Sequence, residues 1–310
     1  MSGENVVPPR APHQGRYAYA ATLAFSRVDA RNLGGLAEWS RKYLHGALRL
    51  ALSLRDVGSI FPFVVIAANL SSPRSQDLLR PLVHANVTVV HVPSISKPAD
   101  FYGFKQGLHM ANFNKLHVWN MTQYERIVHL DLDTVVIRNI DHLFSASVQT
   151  PAAIAEPSFG PLLLGLRGAI VKSRTLLPFN SGLLVLQPDP SLFSELMWAL
   201  RLNRTEIGLH HSYNGGDQGF LYSFLWGRSR AAGPYFELPR RYNLQGCVQS
   251  DEVGGAYVLH MNHNFMDGLT SPIVTNLSHK LNRMTAAAIE AAFLAHPESG
   301  RAWWPNVRGA

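Results

Sequence analysis

Two carboxylates, Asp131 and Asp133, stand one residue apart where the apolar run Ile127 to Leu130 ends, in the stretch IVHLDLDTVVIRNIDHLF. Residues i and i+2 of extended chain point to the same side, so the two carboxylates converge. Like charges that close raise each other's pKa unless a cation lies between them. A hard divalent ion such as Mn²⁺ or Mg²⁺ resolves the conflict, and substrate phosphate and water commonly fill the remaining coordination positions. The spacing alone also admits a plainer reading, with Asp131 capping the next turn and Asp133 solvated.

The elements around this pair decide where it sits. Short apolar runs alternate with helical patterns, the signature of an α/β domain. YAYAATLAF (Tyr17 to Phe25) reads as a first strand. YLHGALRLALSLRDVG (Tyr43 to Gly58) carries Leu44, Ala47, Leu48, Ala51 and Leu52 on one helical face and stops at a glycine. FPFVVIAA follows as a strand, SPRSQDLLRPLV as a helix opened by Ser72 and Pro73, and NVTVVHV as a third strand. MANFNKLHVWNMTQY reads as helix and leads into the strand Ile127 to Leu130. FNSGLLVLQP (Phe179 to Pro188) is a further strand, followed by Asp189 as N-cap of the helix PSLFSELMWALRL. GGDQGFLYSFL becomes helical, and AYVLHMNHNF (Ala256 to Phe265) is a last strand running into a loop. In an open α/β sheet, ligands bind beyond the carboxyl ends of the strands, and Asp131 and Asp133 occupy such an end.

The chain has 310 residues, 46% of them apolar, enough to bury one large core. Residues 17–297 read as one domain with an insert at 157–178, flanked by a flexible N-terminus (1–16) and a C-terminal tail (298–310). The formal charge is +7, but Lys and Arg are scattered, which favours a small anionic ligand over nucleic acid. A single cysteine, Cys247, excludes a disulfide scaffold. The N-terminus has no apolar signal region and no segment is long enough to span a membrane, so the expected compartment is the cytoplasm. Asn-x-Ser/Thr triplets at Asn69, Asn86, Asn120, Asn203 and Asn276 mark the alternative, a lumenal catalytic domain of a longer chain.

Lys115 to Phe144 (KLHVWNMTQYERIVHLDLDTVVIRNIDHLF), then FNSGLLVLQP, NGGDQGFLYSFL (Asn214 to Leu225), LPRRYNLQ (Leu238 to Gln245) and VLHMNH (Val258 to His263) closely resemble, in that order, the motifs of glycogenin and its relatives. These are the retaining glycosyltransferases of family 8, and the likeness runs from about Tyr17 to Met266. It implies the GT-A fold, a Rossmann-like mixed sheet flanked by helices with the D-x-D metal site at the strand ends. It further implies that Asp131, Asp133 and His260 hold a Mn²⁺ (or Mg²⁺) bridging the phosphates of a UDP-sugar. His260 directly follows the apolar AYVL, so it too projects from a strand end, and O,O,N donors suit Mn²⁺. By the same resemblance Lys115 lies near the donor sugar and its phosphates, and Asn180 and Ser181 line the sugar and acceptor site. Asp217 and Gln218 lie beneath the anomeric carbon, with Gly216 at the turn before them and Leu132 between the two metal carboxylates. Leu23, Ala24, Phe25 and Ser26 match the base-binding segment, and Tyr43 stacks on the base or serves the core.

The departures narrow the function. Glycogenin carries an acceptor tyrosine after YNL, whereas QGCVQSDEVGGA (Gln245 to Ala256) holds none, which excludes self-glucosylation at that position. In HMNHNFMDG, His263 stands at the family's glycine and Met266 at its phosphate-gripping lysine, so His263 becomes the candidate replacement donor to a phosphate oxygen. The Leu-rich insert PSFGPLLLGLRGAIVKSRTLLP reads as a packed excursion, with an acceptor lid or membrane-surface contact as alternatives. The expected activity is metal-dependent, retaining transfer of a hexose or pentose from a UDP-sugar, UDP-glucose or UDP-galactose, to an external hydroxyl such as a glycan's, by a possible homodimer. The alternative is a pseudoenzyme that binds nucleotide-sugar without turnover. A nucleotidyltransferase would require a basic Gly-rich loop after the first strand, which TLAFSRVDARNLGG lacks despite Arg27 and Arg31.

Overall fold

The computed structural model describes residues 15–24, 33–71, 73–95, 110–156, 179–202, 216–228, 235–245, 250–261 and 272–295. Its strands are β1 (Tyr17–Ala24), β2 (Phe63–Ala68), β3 (Thr88–Val92), β4 (Arg126–Leu130), β5 (Thr134–Val136), β6 (Ala152–Ala155), β7 (Phe179–Leu186), β8 (Phe236–Leu238) and β9 (Val258–His260). Its helices are α1 (Leu33–Asp56), α2 (Pro73–His84), α3 (Pro190–Ala199), α4 (Asp217–Arg228), α5 (Ser250–Gly255) and α6 (Pro272–Ala295). Seven strands form one sheet in the order β3-β2-β1-β4-β7-β6-β8, and β5 pairs with β9 in a separate ribbon. The β1 to β4 block is parallel, and β7 runs antiparallel between β4 and β6.

Successive side chains of β1 serve opposite faces of the sheet. Tyr19, Ala21 and Leu23 join Leu44, Ala47 and Leu48 of α1 and Leu79 and Leu82 of α2 in one core. Ala18 and Ala20 join Phe113, Leu116 and Trp119, Leu196 of α3, and Phe220 and Leu221 of α4 in the other. Burial on both faces explains why the strands read as unbroken apolar runs rather than alternating ones. The mixed α/β sheet with helices on both sides is the expected fold class, and the strands and helices expected around β1 to β4, β7, α3 and α4 are present.

Several boundaries differ. Helix α1 begins at Leu33, ten residues before the apolar stripe at Tyr43 becomes legible. Met110–Asn120 is a 3-10 helix rather than an α-helix. Within it the Asn114 side chain donates to the Ala111 carbonyl (2.8 Å) and accepts from the Ile95 amide (2.7 Å), and such local bonds compete with regular α-helical pairing. The last strand is confined to Val258–His260. Helix α6 was not expected; it packs on α1 and α2 and sets Met284 and Ala288 against Leu52 and Val135.

One carboxylate ties the amino ends of the sheet together. Asp141 accepts from Tyr19 Oη (2.7 Å), Ser59 Oγ (2.8 Å), the Ile60 amide (3.1 Å) and Asn139 Nδ2 (3.2 Å). Among the described residues no helix is long and apolar enough to cross a membrane. Asn69, Asn86, Asn120 and Asn276 are exposed; Asn203 and the insert 157–178 lie outside the described residues.

Candidate active site

Strand direction brings the site residues to one edge. Strand β4 ends at Leu130, and because β7 is antiparallel to it, the start of β7 lies at that same edge: Leu130 pairs with Leu183, and the Asp131 amide donates to the Gly182 carbonyl (2.9 Å). Asn180 and Ser181 therefore stand beside Asp131. The β5–β9 ribbon sets His260 opposite Thr134, and the Met261 amide donates to the Asp133 carbonyl (2.6 Å), which closes His260 onto the second aspartate. Single ligand atoms of Asp131, Asp133 and His260 lie within 4.8 Å of one another. Two carboxylate oxygens and an imidazole nitrogen at that separation fit a divalent ion with mixed O,N preference.

Electrostatics separate the two aspartates. Burial raises the pKa of Asp131 and the neighbouring Asp133 charge adds to this, against Lys115 and His260. Burial also opposes ionising Asp133, but the hydrogen bond and charge of His260 outweigh it and leave its pKa below the ordinary carboxylate value. His260 Nε2 lies 3.2 Å from Asp133 Oδ1. For this ring too burial favours the neutral form, and Asp133 followed by Asp131 reverses the direction and raises its pKa.

Lys115 comes from the 3-10 segment Met110–Asn120. Its Nζ lies 2.9 Å from Asp131 Oδ1 and 2.9 Å from Asp217 Oδ2, and donates to the Ser181 carbonyl and hydroxyl oxygens (3.1 Å each). Four acceptors thus surround an ammonium that has three protons. Burial favours its neutral form, but Asp131 and Asp217 hold its pKa above the usual lysine value. Lys115 therefore links a candidate metal ligand to the candidate catalytic carboxylate. Ser181 Oγ donates to Asp217 Oδ2 (2.9 Å) and its amide donates to Gln218 Oε1 (3.0 Å), so the first turn of α4 is fastened to β7. Gly216 is buried just before that turn.

The structure brings together Lys115, Asp131, Asp133, Ser181, Asp217, Gln218 and His260. Asn180 is adjacent, with its hydrogen bonds directed into the protein: Nδ2 to Glu156 Oε2 (3.3 Å) and Gln245 Oε1 (3.1 Å), Oδ1 from the Gly182 amide (2.8 Å) and Asn243 Nδ2 (2.8 Å). The Leu23 side chain is buried in the core, so it meets the edge with backbone only; Ala24 is half-buried where β1 ends. Tyr43 is half-buried and packs against the same core. Phe25, Ser26, His263 and Met266 lie outside the described residues.

Sequence reasoning missed three contributors. Gly46 lets α1 touch the metal loop, because a Cβ there would overlap the Leu132 carbonyl oxygen. Arg49, one turn on, is half-buried; burial lowers its pKa while the Asp133 charge raises it. Asn243 accepts from His260 Nδ1 (3.0 Å). An isolated glycine inside a helical pattern was the only available signal for the first, and YNL the only one for the last.

Residues 37–265 match the family model described as Glycosyl transferase family 8. The chain belongs to that family. Among its curated relatives, this family 8 chain is 33% identical over 188 residues to the putative UDP-glucuronate:xylan alpha-glucuronosyltransferase 5 of Arabidopsis thaliana, covering 60% of this chain and 27% of that one. It is 30% identical over 185 residues to inositol phosphorylceramide glucuronosyltransferase 1 of Arabidopsis thaliana (59% and 28%) and 30% identical over 186 residues to glycogenin-1 of Homo sapiens (59% and 45%). The family 8 chain thus spans between about a quarter and a half of these relatives' lengths. The galactosyltransferase LgtC in complex with donor and acceptor sugar analogs shares the fold, with TM-score 0.53 at 14% identity over 86% of this chain and 95% of that one.

Proposed function

We propose that this protein is a metal-dependent, retaining glycosyltransferase that moves a sugar from a UDP-sugar to an external hydroxyl. The observation that carries the reading is the meeting of Asp131, Asp133 and His260 at the carboxyl edge of the sheet, with Lys115 bridging Asp131 to Asp217. Asp131 and Asp133 would supply oxygen and His260 nitrogen to a Mn²⁺. Such an ion supplies Lewis acidity, absorbing negative charge as the sugar–phosphate bond breaks.

The chain's own residues do the rest. Lys115 holds the Asp217 carboxylate in place, and Ser181 holds both that carboxylate and the Gln218 side chain. A carboxylate oxygen already held by an ammonium and a hydroxyl is a poor nucleophile, which favours front-face substitution over a covalent glycosyl-aspartate. The C1–O bond to phosphate breaks with its electron pair leaving on UDP, and the acceptor oxygen attacks the same face. The acceptor's proton passes to the departing phosphate oxygen. Asp217 then acts by stabilising the positive charge that develops at the anomeric centre.

For the donor, the family resemblance favours UDP-glucose or UDP-galactose, and the name of the putative xylan glucuronosyltransferase adds UDP-glucuronate. The chain is proposed to work on a separate glycan or lipid-linked hydroxyl, because the interval from Gln245 to Ala256 lacks tyrosine. A panel of UDP-sugars with Mn²⁺, with and without acceptor sugars, tests the reading. UDP release from one donor is expected, with the donor's α configuration retained so that the product's anomeric proton is equatorial in the NMR spectrum. UDP binding without release from any donor would favour the pseudoenzyme instead.

A further inference from the structure

We propose that Glu156, Asn180 and Asn243 form a one-directional chain of hydrogen bonds that fixes which nitrogen of His260 is left to bind the metal. The inference rests on the metal reading above. The buried Glu156 carboxylate accepts from the Asn180 amide at 3.3 Å and also from Gln245 Nε2, while Gln245 Oε1 accepts from Asn180 Nδ2 at 3.1 Å. The same carboxylate oxygen accepts from both partners, so each presents its NH₂ group to it. Asn180 Oδ1 is thereby turned the other way, toward the Gly182 amide (2.8 Å) and Asn243 Nδ2 (2.8 Å). The backbone amide of Gly182 can only donate, so it enforces the same orientation independently.

With its NH₂ committed to Asn180, Asn243 offers only Oδ1 to His260, 3.0 Å from Nδ1. That contact is favourable only with the proton on Nδ1, so in the neutral ring that binds a metal the lone pair is on Nε2, the nitrogen 3.2 Å from Asp133 Oδ1. The ring cannot evade the constraint by sliding, because it lies against Gly182, where a Cβ would overlap Cε1 and crowd Nδ1. All four hydrogen-bonding positions of Asn180 are used inside the chain, so flipping it would break the Glu156 and Gly182 contacts together. Glu156, Asn180 and Asn243 are thus positioning residues that act on the metal through the imidazole, as partners of metal-bound histidines commonly do.

Calorimetric Mn²⁺ titration of wild type, Asn243→Ala, Glu156→Gln and the double variant tests this, with folding checked by circular dichroism. Wild type should bind, Asn243→Ala should bind 10- to 100-fold more weakly, and Glu156→Gln about tenfold more weakly. The double variant should bind no more weakly than Asn243→Ala, because Glu156 acts through Asn243. With diamagnetic Zn²⁺ as a stand-in, the ¹⁵N spectrum should contain an exchange-protected His260 Nδ1–H signal in wild type that is absent in Asn243→Ala. If Glu156→Gln does not fold, Gln245→Met takes its place with the same non-additivity expected. Variants that bind within twofold of wild type, or losses that add in the double variant, would overturn the chain while leaving the metal site standing. Failure of wild type to bind Mn²⁺ would remove the metal reading and this inference with it.

Discussion

Lys115→Met keeps an apolar stem of similar length and removes the ammonium that lies 2.9 Å from both Asp131 and Asp217. The Lys115 and Asp217 side chains are only 5% and 6% exposed, whereas Asp131 is 30% exposed, so water can compensate the second carboxylate far better than the first. Removing one partner of a buried pair costs about 3–5 kcal/mol, and the more open Asp131 contact adds at most about 1 kcal/mol. A loss of about 4 kcal/mol lowers the melting temperature of a domain this size by roughly 8 °C. The pH dependence has a definite sign. Lys115 is held above the usual lysine value despite its burial, so its contribution is complete below the unfolded value of about 10.4 and disappears only as pH rises through the folded one. Between pH 6 and 9 the gap between wild type and variant should therefore be flat. In acid it should narrow, because Asp131, whose pKa burial already raises, escapes its missing counter-charge by protonation. Metal-free thermal unfolding followed by circular dichroism from pH 4.5 to 9 measures this. A melting temperature within 2 °C of wild type at pH 7 would refute the claim that Lys115 holds the two carboxylates together.

Other substitutions probe the frame and the acceptor. Asp141→Ala strands the fully buried Tyr19 hydroxyl and the Ser59 and Ile60 donors, and should cost about 3 kcal/mol in denaturant unfolding without changing Mn²⁺ affinity. Gly46→Ala drives a methyl group into the Leu132 carbonyl and should lower stability by about 1–3 kcal/mol while weakening Mn²⁺ binding, which isothermal calorimetry reads directly. Incubation with UDP-glucose and Mn²⁺ should leave the intact mass unchanged; a ladder of hexose additions would mean that another residue has taken the place of the tyrosine missing between Gln245 and Ala256.

The parts legible in the sequence are those with local signals. The apolar run before Asp131 identified β4 and its end, and Asp189 identified the start of α3, where its Oδ1 accepts from the Ser191 (2.8 Å) and Leu192 (3.1 Å) amides. Strands β5, β6 and β8 have three or four residues each, too few for an alternation to stand out from noise. Glycines at positions 34 and 35 hid the first turns of α1, since a glycine pair reads as loop unless packing overrides it. The site's chemistry was legible as residue types, but its wiring was not. Lys115 meets Ser181 across 66 positions of chain, and Asn180 meets Asn243 across 63. Only the antiparallel return of β7 and the pairing of β9 with β5 make these residues neighbours. Gly182 makes room for the His260 ring, which no signal local to FNSG announces.

Donor turnover in Mn²⁺, after chelation by EDTA, and after excess Mn²⁺ is restored is the most direct measure of whether Asp131, Asp133 and His260 form a working metal site. UDP release should stop in EDTA and return with Mn²⁺, and Asp131→Asn should stay folded yet inactive in all three conditions, since the carboxylate supplies a ligand rather than core packing. Turnover in EDTA equal to that in Mn²⁺ would contradict the metal assignment.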